Sequence, residues 1–179
     1  CAIALDAEDE RLFVADCDSQ RVLMYLLGIS DSTSAQSFLT EGPIRDIAYD
    51  EVDKILYVII ILQDNTYKIL VIPVLRPEQR SYLSLVSHGV TNPHSLCTAR
   101  INQVASIFVT DFFNNIVAQC TLTTGETVAI SACQIIAGTG TKGSTRDGKS
   151  SLNYSFAAFG KITYSSTLHA LFIVNAHQN

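Results

Sequence analysis

Residues 11–26, RLFVADCDSQRVLMYL, contain the pattern that decides the fold. An apolar run beginning at Arg11 ends in Asp16, a short polar turn follows, and a second apolar run begins at Arg21. Short runs rich in apolar and β-branched residues, separated by tight polar turns, are typical of antiparallel strands. The stretch therefore predicts a β-hairpin. No repeat unit of the chain shows the hydrophobic period of a helix.

The same pattern recurs along the chain. In each unit an apolar strand precedes the hairpin, and a fourth strand follows it. The preceding strands begin near Ile3, Ile47, Pro93 and Phe159. The fourth strands are predicted at 34–40 (SAQSFLT), 81–87 (SYLSLVS) and 129–137 (AISACQIIA). Four antiparallel strands that repeat every ~40 to 50 residues form one blade of a β-propeller.

We therefore predict one all-β propeller domain with four-stranded antiparallel blades, incomplete in this chain. The predicted blades lie at 1–40, 44–87, 93–137 and, truncated, 159–179, with an inter-blade loop at 138–158. Propellers close with about 4 to 8 blades, and an isolated arc would expose a blade face and a strand edge. We expect the remaining blades of a longer chain, around six in all, or other copies, to cover the open ends.

Composition excludes several classes of function. The chain is 47% hydrophobic and 16% charged, so it is not a disordered segment. Its 12 Lys and Arg against 17 Asp and Glu give a net charge of −5, the wrong sign for nucleic-acid binding. The longest apolar run, 55–62 (ILYVIIIL), is far shorter than the ~20 residues of a membrane helix and predicts a buried strand.

Five cysteines occur without a C-x-x-C pair, which indicates neither a zinc knuckle nor a self-contained disulfide framework. We expect them to be buried, reduced thiols. The tripeptide Asn153-Tyr154-Ser155 matches the acceptor for N-glycosylation, which favours a secreted context but leaves the compartment open.

Polar residues end the second strand of three units, at Asp16, Asp111 and Asn175. A short acceptor side chain at such a position can accept hydrogen bonds from backbone N–H groups of the following turn, so we predict a structural role and no catalysis. The aromatic series within the same strands is predicted to pack between adjacent blades. Its members are Phe13, Tyr57, Phe108 and Phe172.

These details resemble the NHL-repeat β-propeller family. Its unit contains Leu-Tyr-Val-Ala-Asp, a polar turn and Arg-Val or Arg-Ile, which residues 12–16 with Arg21-Val22 match, as do 108–111 with 114–116. The resemblance covers nearly the whole chain and implies a six-bladed type. Ile59-Ile60 departs from the Ala-Asp ending.

Two glycine motifs suggest nucleotide binding. Residues 138–143 fit G-x-G-x-x-G and residues 143–150 fit the P-loop pattern G-x-x-x-x-G-K-S. Both need a helix whose N-terminus meets the phosphates, and the P-loop needs a parallel sheet. Since the following residues are typical of a turn and the flanking units are antiparallel, an inter-blade loop accounts for the same glycines.

Four histidines, at 88, 94, 169 and 177, suggest a metal site. Residues 92–96 followed by VTDFFNNIV resemble one blade of propeller lyases that cleave hydroxyglycine peptides, in which a His at the place of His94 binds zinc. Zinc catalysis needs about three converging protein ligands, and the matching positions near 42–44 and 159–160 carry no His.

The sequence predicts a non-catalytic NHL-type propeller that binds a protein partner through loops at the blade ends. No catalytic residue, cofactor or resident metal is assigned. The candidate contact residues for an acidic partner are Lys142, Arg146 and Lys149. The alternative is a metal-dependent lyase or hydrolase with zinc or calcium in the channel and His94 as one ligand.

Overall fold

The computed structural model describes residues 2–28, 36–143 and 150–175. The chain divides into two compact units, unit 1 (Cys1–Leu83) and unit 2 (Ser84–Asn179). No helix among the described residues is long and apolar enough to cross a lipid bilayer.

Unit 1 contains two four-stranded antiparallel sheets, each with its strands in sequence order. The strands of the first sheet are β1 (Ile3–Asp6), β2 (Arg11–Asp16), β3 (Arg21–Leu26) and β4 (Gln36–Leu39). Those of the second are β5 (Ile44–Asp50), β6 (Ile55–Ile61), β7 (Tyr67–Pro73) and β8 (Ser81–Leu83), with a 3-10 turn at Pro77–Gln79.

Unit 2 contains a third four-stranded sheet and a two-stranded sheet, both antiparallel. The four-stranded sheet consists of β9 (Pro93–Ile101), β10 (Val104–Asp111), β11 (Ile116–Thr123) and β12 (Ala129–Ala137). The two-stranded sheet pairs β13 (Phe159–Ser165) with β14 (Ala170–Asn175). Single 3-10 turns occur at Val86–His88 and Ser151–Asn153. The prediction of four-stranded antiparallel blades is confirmed.

The core of unit 1 lies between its two sheets. Phe13 of β2 is fully buried and packs on Tyr49 of β5, with 4.8 Å between ring centroids. Leu56, Val58 and Ile60 of β6 are also fully buried in this cluster. Burial of each such side chain contributes about 1.5 to 3 kcal/mol, which explains why the run at 55–62 is a central strand.

The core of unit 2 lies between β9–β10 and β13. Phe108 stacks on Tyr164 at 5.6 Å between ring centroids, and Phe156 packs against Phe159 at 4.5 Å. The backbone N–H of Ile162 donates to Ser95 Oγ at 3.3 Å, which links β13 to β9.

Phe172 does not pack as predicted. Phe13, Tyr57 and Phe108 are buried, whereas Phe172 is 50% exposed. Alternate residues of β14 point to opposite faces, and the face that carries Leu171 and Ile173 packs on the unit 2 core. Phe172 therefore lies on the other face of this sheet.

The prediction of reduced thiols is wrong for two of the five cysteines. Cys120 on β11 and Cys133 on β12 are directly opposite each other and form a disulfide. Spacing alone gave no sign of this pair, because strand register places the two residues together. Cys17 is a free thiol, Cys97 is buried in the core of unit 2, and Cys1 lies outside the described residues.

Strand lengths also differ from the prediction. The strand expected at 81–87 ends at Leu83, and a 3-10 turn begins at Val86. The strand expected at 34–40 is observed over Gln36–Leu39, and residues 34 and 35 lie outside the described residues.

Candidate functional site

One edge of unit 2 gathers the segments that enter and leave its strands. Because β9 to β12 are antiparallel, β9 begins, β10 ends, β11 begins and β12 ends at the same edge. We call this edge the loop face and define it by residues 89–94, 112–115, 138–143 and 150–158.

Asp111 is the centre of the hydrogen bonds that fix the loop face. Its fully buried carboxylate accepts from the backbone N–H of Thr91 at 2.6 Å and of Asn92 at 3.1 Å through Oδ2. Oδ1 accepts from the N–H of Phe113 at 3.0 Å and of Asn114 at 2.9 Å. The predicted structural role of Asp111 is confirmed, and the side chain also binds the loop that precedes β9.

Asn114 adds further bonds across the same edge. Its Nδ2 donates to Asp111 Oδ2 at 2.9 Å, to Thr91 Oγ1 at 3.1 Å and to the carbonyl of Gly89 at 3.2 Å. The turn at 112–115 and the segment 89–92 are therefore joined directly by side-chain hydrogen bonds.

Asn175 occupies in β14 the place that Asp111 has in β10. Its Oδ1 accepts from the N–H of Ala157 at 3.0 Å, and its Nδ2 donates to Tyr154 Oη at 3.3 Å. Like Asp111, it binds the segment that leads into the first strand of its own sheet. The residues that follow Asn175 lie outside the described residues.

The loop face exposes an aromatic side chain on this fixed turn. Phe113 is 71% exposed, and its ring lies 6.0 Å from that of Phe112, measured between centroids. Phe112 in turn contacts the ring of His94 at 5.5 Å. These three rings form a continuous aromatic row.

His94 lies at an irregularity of β9. Thr110 pairs with Ser95 and Asp111 pairs with Pro93, so His94 is the extra residue of a bulge between these two pairs. Such a β-bulge turns a side chain away from the regular pleat. The counterpart in β5 is Arg45, and in β13 the same irregularity falls at residues 160–161.

The residues at the positions that correspond to His94 in β5 and β13 are relevant to the hypothesis of a metal site, because such a site needs several ligands. Arg45 is a cation that lies over the ring of Tyr67 at 5.4 Å, and Gly160 has no side chain. Among the described residues, no group of three or more His, Cys, Asp or Glu side chains is arranged to hold a metal ion. His169 contacts Tyr164 Oη through Nδ1 at 3.4 Å, and His177 lies outside the described residues.

Of the three candidate contact residues, Lys142 is described, and its side chain is exposed on the loop face. Arg146 and Lys149 lie in 144–149, outside the described residues. Three backbone hydrogen bonds connect the segment 138–143 to residues 151–156. The N–H groups of Gly138, Thr139 and Gly143 donate to the carbonyls of Ser151, Tyr154 and Phe156, respectively.

The first glycine motif forms a turn in the structure. Gly138 and Gly140 have left-handed φ values of +98° and +79°, and the described helix that follows is one 3-10 turn at Ser151–Asn153. A Cβ on Gly138 would collide with the carbonyl oxygen of Asn115. Gly138 thus permits its backbone to approach that of Asn115 closely.

Charge is unevenly distributed between the two units, a feature that the predictions from sequence did not include. Unit 2 contains three acidic residues, Asp111, Glu126 and Asp147, and five basic residues, Arg100, Lys142, Arg146, Lys149 and Lys161. With five basic against three acidic residues, unit 2 is basic although the whole chain has a net charge of −5. Counting charges separately in each half would have shown this.

Unit 1 contains the most extensive charge cluster, but its members bind one another. Buried Asp6 accepts from Tyr49 Oη at 2.8 Å, and Lys54 Nζ lies 2.8 Å from Glu8 and 2.9 Å from Asp9. The hydrogen bond from Lys54 is the main cause that lowers the pKa of Asp9. These bonds connect the β1–β2 turn to the second sheet, so the cluster is a structural link.

Several solved structures are similar to this chain. A structure of a nidogen/laminin complex matches with a TM-score of 0.66 at 17% identity, covering 98% of this chain and 56% of that one. An auxiliary nutrient binding protein from Bacteroides thetaiotaomicron matches with a TM-score of 0.65 at 11% identity, covering 97% of this chain and 44% of that one. An auxiliary nutrient binding protein from Bacteroides ovatus matches with a TM-score of 0.61 at 10% identity, covering 97% of this chain and 45% of that one.

These likenesses confirm the predicted fold class. The matched structures are β-propellers, and the chain has their four-stranded antiparallel blades. The chain spans about half the length of the solved structures that it matches. No family model matches the chain, and no curated protein matches it.

Proposed function

We propose that this chain is part of an NHL-type propeller that acts as a non-catalytic binding module and docks a protein partner on the loop face of unit 2. The observation that carries the proposal is Phe113, an aromatic side chain 71% exposed on a turn whose backbone Asp111 fixes. Exposed aromatic side chains on rigid turns are the typical anchors of protein interfaces, since little conformational entropy is lost on binding.

The charge of the loop face favours an acidic partner surface. Lys142 is exposed there, Lys161 is exposed near the start of β13, and the chain adds Arg146 and Lys149 in the same inter-blade segment. Complementary charge raises the rate of association and selects partners, and its effect weakens as salt increases.

Two further observations support the NHL type and the binding role. The Asp and Arg of the repeat unit form an ion pair in β2–β3, with Arg21 Nε 2.9 Å from Asp16 Oδ2. The similar structures include one solved as a nidogen/laminin complex and others named as nutrient binding proteins. Binding is therefore a role that this architecture performs elsewhere.

The experiment compares proteins captured by the immobilised chain from extracts of the cells that produce it. Phe113→Ala and Lys142→Glu are the test variants, and Leu168→Ala, which shortens a side chain 67% exposed in the β13–β14 turn, is the matched control. We expect a partner that both test variants lose by at least ~10-fold and the control retains, since a buried interface anchor contributes about 2 kcal/mol or more.

Two results would contradict the proposal. One is capture of every protein by Phe113→Ala at the level of the wild type. The other is stoichiometric zinc or calcium in the purified protein, measured by mass spectrometry and lost in His94→Ala, which would favour the lyase or hydrolase alternative.

A further inference from the structure

Asn153 lies at the surface of unit 2, in the tripeptide Asn153-Tyr154-Ser155. Its side chain is exposed at the end of the 3-10 turn Ser151–Asn153, and Nδ2 donates to Ser150 Oγ at 2.8 Å. The turn stops there because Tyr154 takes extended backbone angles. An N-glycan is bulky and must remain in water, so an exposed turn is the kind of place that accepts one.

The disulfide is a second observation, independent of the tripeptide. Cys120 and Cys133 join adjacent strands, and stable structural disulfides form in oxidising compartments and on secreted proteins. Cys120 is fully buried, so its bond is part of the folded core. An oxidising secretory compartment is also where N-glycans are attached to Asn-x-Ser/Thr.

We propose that Asn153 is an N-glycosylation site and that the chain matures in an oxidising secretory compartment. The donor is an oligosaccharide carried on a lipid pyrophosphate. Asn153 Nδ2 forms a bond to C1 of the first sugar, the bond from C1 to the pyrophosphate oxygen breaks with its electron pair leaving on oxygen, and one amide proton passes to solvent. Nδ2 retains a second hydrogen, which can continue to donate to Ser150 Oγ.

This inference does not depend on the proposed binding role, but it limits the surface on which that role can operate. Ser155 Oγ lies 2.8 Å from Thr139 Oγ1, which places the glycosylated turn beside the segment 138–143. A glycan on Asn153 would therefore lie beside the segment that carries Lys142. A protein partner would have to contact Phe113 and Lys142 from the side of the loop face that the glycan leaves open.

The test is peptide mass analysis of the full chain isolated from the cells that produce it. The sample is digested with and without a peptide N-glycosidase in heavy-oxygen water, which converts a glycosylated Asn to labelled Asp. We expect labelled Asp at position 153, and in the unreduced digest a linked peptide pair containing Cys120 and Cys133.

Variants made in the same cells connect the modification to the tripeptide. Asn153→Gln and Ser155→Ala should lose the glycan and its mobility shift, whereas Ser155→Thr, which keeps the acceptor pattern, should retain both. Unmodified Asn153 in the native chain would overturn the site, whatever the state of the cysteines. Free, alkylated Cys120 and Cys133 in protein taken directly from these cells would overturn the compartment.

Discussion

The backbone N–H of Thr91 donates to the carboxylate of Asp111 across 2.6 Å. This bond joins the loop that leads into β9 to the end of β10, and the same carboxylate also binds the turn into β11. One side chain thus fixes two of the segments that form the loop face. Stability of the blade and geometry of the candidate site depend on the same residue.

Replacement of Asp111 by Ala should destabilise unit 2 by about 3 kcal/mol, because the backbone donors that it satisfies would lose their acceptor. Urea unfolding followed by circular dichroism measures the change. Asp64→Ala is the control, since its carboxylate binds Thr66 on an exposed turn, and it should cost less than about 1 kcal/mol. Equal losses in the two variants would show that burial of the carboxylate is unimportant.

Gly138→Ala should both destabilise the chain and weaken partner capture. Gly138 has φ of +98°, and an added Cβ would collide with the backbone of Asn115, so about 1 to 3 kcal/mol of strain is expected. Gly125→Ala is the matched control, because a Cβ there meets nothing within 4 Å. Thermal unfolding and the capture assay should separate the two variants. A Gly138→Ala protein equal to Gly125→Ala in both would exclude this constraint.

The chain should lose stability at alkaline pH. Burial, and then the hydrogen bond to Asp6, raise the pKa of Tyr49 above its ordinary value of 10.0. An unfolded tyrosine loses its proton near pH 10 while folded Tyr49 keeps it, so the folded state binds more protons and the free energy of unfolding falls as pH rises above about 10. Burial, followed by Glu41, likewise raises the pKa of Tyr82 to about 12.

Unfolding by urea across pH 8 to about 11 measures this slope. Tyr49→Phe should be less stable than the wild type at neutral pH by about 1 kcal/mol, because the Asp6 carboxylate loses a donor. Its stability should also fall less steeply with alkaline pH. Tyr82→Phe, which removes a more exposed phenol, should flatten the slope less. A Tyr49→Phe slope identical to that of the wild type would disprove the assigned cause.

Reduction should destabilise the chain. The disulfide closes a loop with a sequence separation of 13 residues, and a bond of this kind contributes about 2 to 4 kcal/mol. A reductant should therefore lower the free energy of unfolding of the wild type and of Cys17→Ser, which removes a free thiol. It should have no effect on the double variant Cys120→Ala, Cys133→Ala. The same response to reductant in all three proteins would show that the disulfide contributes nothing.

The strands that the sequence predicted well are those whose apolar runs are bounded by local signals. The run at 55–62 is long and rich in Ile, and it is β6, buried on both faces. Asp16 and Asp111 were recognisable because the strand, the polar side chain and the turn that it binds are contiguous in sequence. Local chemistry was sufficient in these places.

The features that were missed depend on long-range register. Cys120 faces Cys133 because β12 has irregular pairing near residues 131 and 136, and no spacing rule indicates where such shifts occur. His94 acquired its position in the same way, through a bulge opposite Thr110 and Asp111. The exposure of Phe172 depends on which face of its sheet packs against the unit 2 core. The sequence pattern within one blade does not indicate which face that is.

In three of the four sheets, the first strand carries one extra residue near its start: Arg45 in β5, His94 in β9, and a position within 160–161 in β13. The strand pairs on either side of the extra residue are kept although its identity differs between the sheets. A different side chain at such a position therefore changes the chemistry at the edge of the blade, while the pairing of the strands stays the same. Blades of one repeating design can in this way acquire different surface chemistries independently of one another.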